Sequence, residues 1–300
     1  MELVILAAGM GSRFGGLKQL EPIDKNGNFI IDYSIYDAIR CGFDKVIFII
    51  KEENYEIFKQ TVGNRVEKHI KTEYVFQNNN NFPSNITPPK DRVKPFGTGH
   101  AVLCAADKIN DNFAVINSDD FYGYDAFKEL ASFLKNDATD NEFALVGYDA
   151  LKTISDFGSV KRGVIKEKDG YLDKIKESIL TKNDSNEIFS VPIDEPNSTP
   201  TKIEKPIVQV NFFGATPKFV SHLNEHFIAF LNKNKNDLSS CEFFFPYVVS
   251  DLVNENKAKV KILKTNSTWL GVTYKEDKDY VVNSIAKLVE SSVYPENLWN

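Results

Sequence analysis

The sequence predicts an α/β fold, a doubly wound, Rossmann-like domain in which helices cover both faces of a mixed, mostly parallel sheet. Three observations support this class. Short apolar runs typical of buried strands alternate with segments of helical periodicity. Polar or glycine-rich turns follow several of these runs at their carboxyl ends, where such sheets bind ligands. The 300 residues can bury an ample core, whether in one large domain or in two smaller ones.

The first half of the chain alternates in the order βαβαβ, which predicts parallel strands with helical crossovers. Strands are predicted at 3–6, 45–50, 73–77, 113–116 and 143–148. Helices are predicted at 31–40, 54–66, 97–109 and 124–134, and Gly42 is placed to cap the first of them. The asparagine- and proline-rich stretch 78–94 breaks this order, and we expect an exposed loop there or a lid over a bound ligand.

The second half is less regular, and a polar stretch at 181–205 interrupts it. Strands are predicted at 160–165, 172–175, 208–213 and 259–263, and helices at 218–231, 245–253 and 278–291. No internal repeat and no clean linker between domains is visible. We therefore expect one continuous sheet with a C-terminal extension.

Composition and charge exclude several classes of protein. Hydrophobic content of 42% and charged content of 26% are ordinary for a soluble globular protein. A net charge of −6 argues against a general nucleic-acid binder, so any anionic ligand must be held by a local cluster of cations. No apolar run approaches ~20 residues, so we expect no membrane span. The early first strand and three scattered cysteines indicate a cytoplasmic protein without a signal peptide.

The segment 3–19, LVILAAGMGSRFGGLKQ, carries the strongest functional signal. Its apolar run ends at Ala7, Ala8 and Gly9, where small side chains let a ligand approach the backbone closely. Gly11 and two further glycines keep the following loop free to wrap around that ligand. A glycine-rich turn at the end of a strand suits a phosphate group.

Two cations in the same loop, Arg13 and Lys18, strengthen the interpretation as a phosphate site. The loop differs from a dinucleotide-binding fingerprint, because Phe14 stands where the third glycine is needed. It also differs from a Walker loop, because Lys18 is followed by Gln19 rather than by serine or threonine.

Other candidate ligand groups follow the remaining strands of the predicted sheet. Asp119 and Asp120 come after the fourth strand, and carboxylates facing a phosphate site are natural Mg²⁺ ligands. Gln77 follows the third strand and offers a donor and an acceptor to a base edge. Gly97 and Thr98 begin a helix and add backbone donors and a hydroxyl group.

No serine, cysteine or histidine is placed persuasively as a nucleophile. This favours a reaction in which the nucleophile belongs to the substrate, such as a phosphorylated acceptor that attacks the α-phosphate of a nucleoside triphosphate. Both reactants are polyanions, so cations and a metal must offset their repulsion.

Three ordered motifs resemble those of the nucleotidyltransferases that make sugar nucleotides. LAAGMGSRFGGLKQ resembles the signature G-x-G-T/S-R followed by a lysine, KPFGTGHA resembles P-x-G-T-A-x-A, and VINSDD resembles a strand that ends in Gly-Asp. The resemblance implies a GT-A-like fold, with Arg13 and Lys18 as catalytic cations and Asp119 as the Mg²⁺ ligand. Further downstream, LDKIKE resembles the strand before the family's Glu-Lys-Pro, which places Glu177 on the hydroxyl groups of the acceptor.

The resemblance also implies a division of labour within one catalytic domain. Residues 1–150 would form the nucleotide-binding core, and residues 151–300 the acceptor-binding and C-terminal part. Asn211 is assigned to the acceptor site together with Glu177. The nucleotide would be bound by Ala7, Ala8, Gly9, Gly11, Gln77, Gly97 and Thr98.

The chain departs from the family pattern at three positions. Ser118 replaces the glycine before the metal-binding aspartate, and Ser178 stands where many relatives have a lysine that holds the acceptor's phosphate. WLGVTYKED resembles a W-x-D-x-G-T segment in which Gly271 replaces the aspartate that often supplies a second metal carboxylate. These differences leave the identity of the acceptor open.

We therefore predict transfer of a nucleoside monophosphate from UTP, CTP or dTTP to a phosphorylated acceptor, with a sugar 1-phosphate as the leading acceptor. Pyrophosphate and a nucleoside-diphosphate sugar would be the products. An alternative is a cytidylyltransferase with a phosphocholine-like acceptor, and an alternative of another class is a nucleotide-binding regulatory module without catalysis. A nucleotide-sugar-dependent glycosyltransferase usually carries a D-x-D motif and ranks lower. Both a monomer and a homo-oligomer fit the sequence.

Overall fold

A computed structural model describes residues 1–9, 22–78, 82, 86, 88–89, 92, 94–204 and 206–299. The strands are β1 Glu2–Leu6, β2 Lys45–Ile50, β3 Lys71–Phe76, β4 Phe113–Asn117, β5 Asp120–Phe121, β6 Glu142–Asp149, β7 Val160–Lys168, β8 Tyr171–Lys182, β9 Ile188–Pro192, β10 Thr201–Ile203, β11 Ile207–Gln209, β12 Phe213–Ala215, β13 Lys259–Lys264 and β14 Leu270–Gly271. The helices are α1 Ile30–Arg40, α2 Tyr55–Phe58, α3 Asn64–Val66, α4 Thr98–Cys104, α5 Tyr124–Asn136, α6 Lys218–Lys233, α7 Phe245–Asn254 and α8 Asp277–Glu290.

Within the described residues, twelve of these strands form one sheet in the order β10-β9-β8-β7-β11-β6-β12-β4-β1-β2-β3, with β13 beside β6 and β8. β3, β2, β1 and β4 are parallel, whereas β12 joins β4 to β6 through antiparallel pairs. The predicted doubly wound class with a mixed sheet is confirmed. The sheet also runs without interruption from the first half of the chain into the second.

Strands β1, β2 and β4 of the parallel part form because most of their side chains are apolar on both faces. β2 is buried along its whole length, and β1 and β4 are buried at every position but their last. Helices therefore cover both sides of the sheet, as such runs require. Ile35 of α1 and Phe127 of α5 belong to the core on one face, while Phe227 of α6 and Val248 of α7 belong to the core on the other.

The carboxyl ends of three strands lie side by side at one edge of the sheet. The backbone N–H of Ala7 donates to the carbonyl of Ile49, and that of Gln77 donates to the carbonyl of Ile50. The N–H of Ser118 donates to the carbonyl of Leu6. The turns that follow β1, β3 and β4 therefore converge, which is where an open α/β sheet binds its ligands.

Two predictions for the second half were wrong in detail. The single strand predicted at 208–213 is divided into β11 and β12, because Asn211 has a positive φ of 61° that no regular strand contains. The polar stretch 181–205, for which no strand was predicted, contains the short strands β9 and β10, and Ile188 and Ser190 of β9 are buried.

The remaining elements differ from the predictions mainly at their ends. The helix predicted at 97–109 is α-helical only to Cys104. The helix predicted at 54–66 is a chain of short turns, with 3-10 geometry at Glu52–Asn54 and π geometry at Lys59–Gly63 around α2 and α3. The three cysteines are free, and none of the described helices combines the length and apolar character needed to cross a membrane.

Candidate functional site

A cleft of about 930 Å³ opens at the edge of the sheet where the strand ends converge. Its walls come from both halves of the chain. The lining residues are Lys94, Thr98, Asn117, Asp119, Asp120, Lys161, Arg162, Gly163, Glu177, Ile193, Gln209, Val210, Asn211, Glu242, Phe244, Pro246, Tyr247, Trp269, Val272 and Thr273. Four predicted site residues, Thr98, Asp119, Glu177 and Asn211, are therefore brought into one cavity.

The other predicted nucleotide residues that the structure describes, Ala7, Ala8, Gly9, Gln77 and Gly97, follow the strand ends at the same edge but are not among the lining residues. Ala7 and Ala8 are buried directly after β1, and Gly9 is exposed with open space around its Cα atom. Gly11, Arg13 and Lys18 lie outside the described residues, so their predicted roles stay predictions.

Gln77 is bound to the turn that contains Gly97. Its Nε2 atom donates to the carbonyl oxygen of Gly97 at 3.0 Å and lies 3.5 Å from Nδ1 of His100. The amide nitrogen that was predicted to read a base edge therefore holds the turn in place. The sequence predicted that Gln77 and Gly97 belong to one site, but it did not predict this hydrogen bond between them.

Gly97 has a backbone conformation that only glycine adopts readily, with φ 96° and ψ 178°. A Cβ atom at this position would lie 2.5 Å from the carbonyl oxygen of Phe243. That oxygen accepts a hydrogen bond from the N–H of Gly99 at 2.9 Å, and the hydroxyl oxygen of Thr98 accepts one from the N–H of Phe245 at 3.3 Å. The turn 97–99 is thus packed against the chain that leads into α7.

Arg92 reinforces this packing from within the stretch 78–94. Its guanidinium donates to the carbonyl oxygens of Pro95, Leu238 and Cys241 at 2.6–2.9 Å and stacks 3.6 Å from the ring centroid of Phe96. Arg92 is buried, so the expectation of an exposed loop is wrong at this residue. A lone arginine in a polar stretch gives no sequence signal for such a role.

The two carboxylates after β4 have different surroundings. Asp119 is half-buried and lines the cleft. Asp120 is buried, accepts a hydrogen bond from Nδ2 of Asn117 at 2.8 Å, and lies 3.3 Å from the hydroxyl of Tyr122. Asp120 therefore braces the strand end, and both carboxylates line the cleft. One carboxylate fits Mg²⁺, which keeps several waters and takes phosphate oxygens as further ligands.

Gly271 lies opposite Asp120 in the short antiparallel pair of β14 with β5. A Cβ atom at Gly271 would lie 2.2 Å from the indole ring of Trp269 and 3.1 Å from Oδ1 of Asp120. A second carboxylate therefore has no space here while Trp269 keeps its position. No group of three or more potential metal-binding side chains occurs among the described residues.

The cleft also contains a carboxylate paired with an amide. Gln209 Nε2 donates to Glu177 Oε1 at 3.2 Å, and Gln209 Oε1 accepts from the N–H of Asn211 at 2.7 Å. Gly163 faces the pair, and a Cβ atom there would lie 2.7 Å from Gln209 Nε2 and 2.9 Å from Glu177 Oε1. Gln209 was missed, although a glutamine within the apolar run VQV was a usable signal.

Asn211 lies between the pair at Glu177 and the strand end that contains the aspartates. Its Nδ2 atom lies 3.4 Å from Oδ1 of Asn117, whose own amide donates to Asp120. Amide side chains thus link the pair at Glu177 to the strand end that contains the aspartates. The positive φ that divides the predicted strand is what turns Asn211 into this position.

An aromatic wall borders the cleft beside Glu177. The rings of Phe244 and Tyr247 form an edge-to-face pair with centroids 5.8 Å apart, and both line the cleft. Phe243 and Phe245 are buried in the core. Only the middle residue of the FFF triplet is therefore placed to contact a ligand.

Ionisation of Glu177 gives a first testable expectation. Burial raises the pKa of Glu177 above its ordinary value, although the bond from Gln209 and the charge of Arg162 act in the opposite direction. If the ionised carboxylate accepts hydrogen bonds from hydroxyl groups of the acceptor, kcat/KM for the acceptor should fall when Glu177 is protonated. Because its pKa is raised, this fall should begin at a higher pH than it would for an exposed glutamate. The measurement is the pH profile of kcat/KM for wild type and Glu177→Gln. Glu177→Gln should lose this fall of kcat/KM at acidic pH. An unchanged acidic limb of the pH profile would contradict the role of Glu177 in binding the acceptor.

The sequence model of the nucleotidyl transferase family matches residues 2–178, which is more than half of the chain. The chain therefore belongs to the nucleotidyl transferase family. The match begins in β1 and ends one residue after Glu177, so it includes Asp119 and the first strands that line the cleft.

One similar protein is the bifunctional protein GlmU of Methanococcus maripaludis strain C5, which is 27% identical over 186 residues. That alignment covers 61% of this chain but only 38% of GlmU. GlmU of Methanococcus vannielii is 27% identical over 190 residues, with coverage of 62% and 38%. The chain thus covers well under half the length of these relatives.

Solved structures resemble nearly the whole chain. The inositol-1-phosphate CTP transferase from T. maritima has a TM-score of 0.63 and 13% identity, and 96% of each chain is covered. A UDP-glucose pyrophosphorylase in complex with UDP-glucose has a TM-score of 0.57 and 17% identity, with 95% of this chain and 98% of that chain covered. The fold predicted from the family motifs is therefore confirmed.

Proposed function

We propose that this chain transfers a nucleotidyl group from a nucleoside triphosphate to a phosphorylated acceptor, most readily a sugar 1-phosphate, and releases pyrophosphate. The family match over residues 2–178 carries the proposal, because that stretch contains both Asp119 and Glu177 and these carboxylates line one cleft. The carboxylate of Asp119 suits a metal ion bound to phosphate groups, and the carboxylate of Glu177 suits hydroxyl groups.

In the proposed reaction, a phosphate oxygen of the acceptor bonds to the α-phosphorus of the triphosphate. The bond from that phosphorus to the oxygen bridging the β-phosphate breaks, and its electron pair leaves with pyrophosphate. The attacking oxygen is already ionised, so the protein needs to supply alignment and charge compensation. Arg13 and Lys18 remain the proposed catalytic cations.

Asp119 is proposed to hold Mg²⁺ at the phosphate end of the cleft. When bound there, the ion would offset negative charge on the phosphate oxygens. The half-buried carboxylate at a strand end supports this assignment. Asp120 would keep the strand end in place through Asn117 rather than bind the ion itself.

At the other end, Glu177 and Gln209 are proposed to bind hydroxyl groups, and Phe244 and Tyr247 to contact the ring of the acceptor. A carboxylate accepts two or more hydroxyl hydrogen bonds, and the polar groups of a sugar lie around a ring whose faces pack on aromatic side chains. The names of the two solved relatives contain inositol 1-phosphate and UDP-glucose, which are both phosphate esters of ring polyols.

Pyrophosphate release over a matrix of substrates tests the proposal. The donors are CTP, UTP, dTTP, ATP and GTP, and the acceptors are hexose 1-phosphates, inositol 1-phosphate and phosphocholine. We expect Mg²⁺-dependent release of pyrophosphate, fastest with a hexose 1-phosphate and a pyrimidine triphosphate, and identification of the nucleotide sugar by mass spectrometry.

Other outcomes of the matrix identify the alternatives. Fastest turnover with CTP and phosphocholine would show that the acceptor is a phospho-alcohol and not a sugar 1-phosphate. Triphosphate binding without turnover of any acceptor would indicate a regulatory module and contradict the proposed catalysis. Asp119→Asn is the control for a contaminating enzyme, because its preparation should release pyrophosphate at least about 10²-fold more slowly than wild type.

A further inference from the structure

The cleft contains many carboxylates for a site that is proposed to bind a phosphorylated acceptor. Asp119, Asp120, Glu177 and Glu242 all line it. An anionic ligand among these groups requires a cation within reach. The proposed cations of the glycine loop serve the triphosphate, so the phosphate of the acceptor needs a cation of its own.

Three cationic side chains line the cleft within the described part of the chain, and two of them are held by neighbouring groups, although the buried Nε of Arg162 makes no hydrogen bond. Lys94 Nζ lies 2.6 Å from Glu242 Oε2. Arg162 donates from Nη1 to the carbonyl of Lys161 at 2.9 Å and from Nη2 to that of Thr153 at 2.6 Å. The Lys161 side chain is exposed and makes no hydrogen bond or ion pair with a described residue. Its ammonium group therefore keeps three donors for a ligand.

The strand register places Lys161 on the same face of the sheet as Glu177. Gly163 of β7 pairs directly with Glu177 of β8, and Lys161 pairs with Ile179 two positions further along. Directly paired residues share a face, and side chains alternate along a strand. Lys161 and Glu177 are therefore diagonal neighbours, with β-carbons roughly 7 Å apart. Gly163 contributes no side chain to the space between them.

The neighbouring position on β8 supplies no cation to this face. Ser178 is buried, its hydroxyl lies 3.2 Å from the carbonyl of Lys176, and it pairs with Arg162 on the opposite face. Lys161 is therefore the cationic side chain that lines the cleft on the face of the sheet that carries Glu177 and Gln209, among the described residues.

We propose that Lys161 binds the phosphate group of the acceptor and makes the site selective for phosphorylated over unphosphorylated sugars. The inference rests on the proposed function and extends it to a specificity-determining residue. Glu177 holds hydroxyl groups on one side of the ring, and Lys161 holds the phosphate on the other. Lys161 acts on the acceptor and not on the triphosphate.

The test compares Lys161→Gln with Lys168→Gln and Lys161→Arg. Lys168 is an exposed residue at the end of the same strand and does not line the cleft. Lys168→Gln is therefore a control that removes one positive charge outside the cleft, as Lys161→Gln removes one inside it. With the hexose 1-phosphate that wild type uses best, Lys161→Gln should raise KM for the acceptor about 10- to 100-fold, as for a lost charged hydrogen bond. KM for the triphosphate should stay within about twofold, and Lys161→Arg should recover most of the affinity.

A second measurement separates phosphate recognition from a general change in the cleft. The unphosphorylated hexose is titrated as a competitive inhibitor against the acceptor. Its inhibition constant should be the same in wild type and Lys161→Gln. Equal KM values for Lys161→Gln and Lys168→Gln, or a KM change for the triphosphate instead, would overturn the inference while the proposed function stands. Absence of wild-type turnover with every acceptor would instead contradict the proposed function.

Discussion

Asp119→Asn should lower Mg²⁺-dependent turnover about 10²- to 10³-fold, because charge stabilisation by a bound metal contributes several kcal/mol to such reactions. The amide keeps the size of the side chain but loses the negative charge. Asp119 is half-buried beside the cleft, so the substitution should leave the free energy of unfolding nearly unchanged. Initial rates over an Mg²⁺ titration, together with urea unfolding, measure both effects.

Asp120→Asn is the matched control for this prediction. The oxygen of the new amide can still accept the hydrogen bond from Asn117 Nδ2, so we expect activity within about tenfold of wild type, corresponding to the loss of at most one hydrogen bond. Equal loss of activity in both variants would show that the two carboxylates act as a pair, and the account with one metal carboxylate would be wrong.

Gly97→Ala should destabilise the fold by at least about 3 kcal/mol and remove measurable turnover. The backbone at φ 96° and ψ 178° alone costs about 1–3 kcal/mol for a residue with a Cβ atom. That atom would also lie 2.5 Å from the carbonyl oxygen and 2.9 Å from the nitrogen of Phe243, so the chain before α7 has to shift. The measurements are the midpoint of urea unfolding and the rate of pyrophosphate release.

Gly170→Ala separates the backbone conformation from the overlap. Gly170 also has a positive φ, 83°, but no atom lies within 4 Å of an added Cβ atom. We expect a loss of about 1–2 kcal/mol and no change in turnover. If Gly97→Ala and Gly170→Ala lose the same stability, packing of the turn against Phe243 contributes nothing, and the proposed link between the turn and α7 fails.

The sequence was most informative where buried strands lead into turns. An apolar run such as 45–50 predicts a strand because it is short and rich in β-branched residues, and β2 has those bounds. The positions of Gln77 and Asp119 followed directly, since the ends of parallel strands meet at one edge. The family motifs extended this to Glu177, which lies in the same cleft as Asp119.

Contacts between distant segments were beyond such reasoning. Whether Gln77 reads a base or holds Gly97 depends on a hydrogen bond across 20 residues. The role of Arg92 depends on carbonyl groups about 150 residues away, which no local pattern marks. The division of the strand at Asn211 depends on a backbone angle that asparagine adopts more readily than other residues, and its sequence context predicted an uninterrupted strand.

The contact of Trp269 with Gly271 also constrains how this site can change during evolution. An aspartate introduced at 271 by one substitution meets the indole ring and is selected against for its loss of stability. A smaller residue introduced first at 269 removes the ring that stacks 4.4 Å from the guanidinium of Arg162, which is also harmful. We therefore expect positions 269 and 271 to change together where a second carboxylate is gained. Lineages with Trp269 and Gly271 together should keep a single-carboxylate site even where their acceptors diverge.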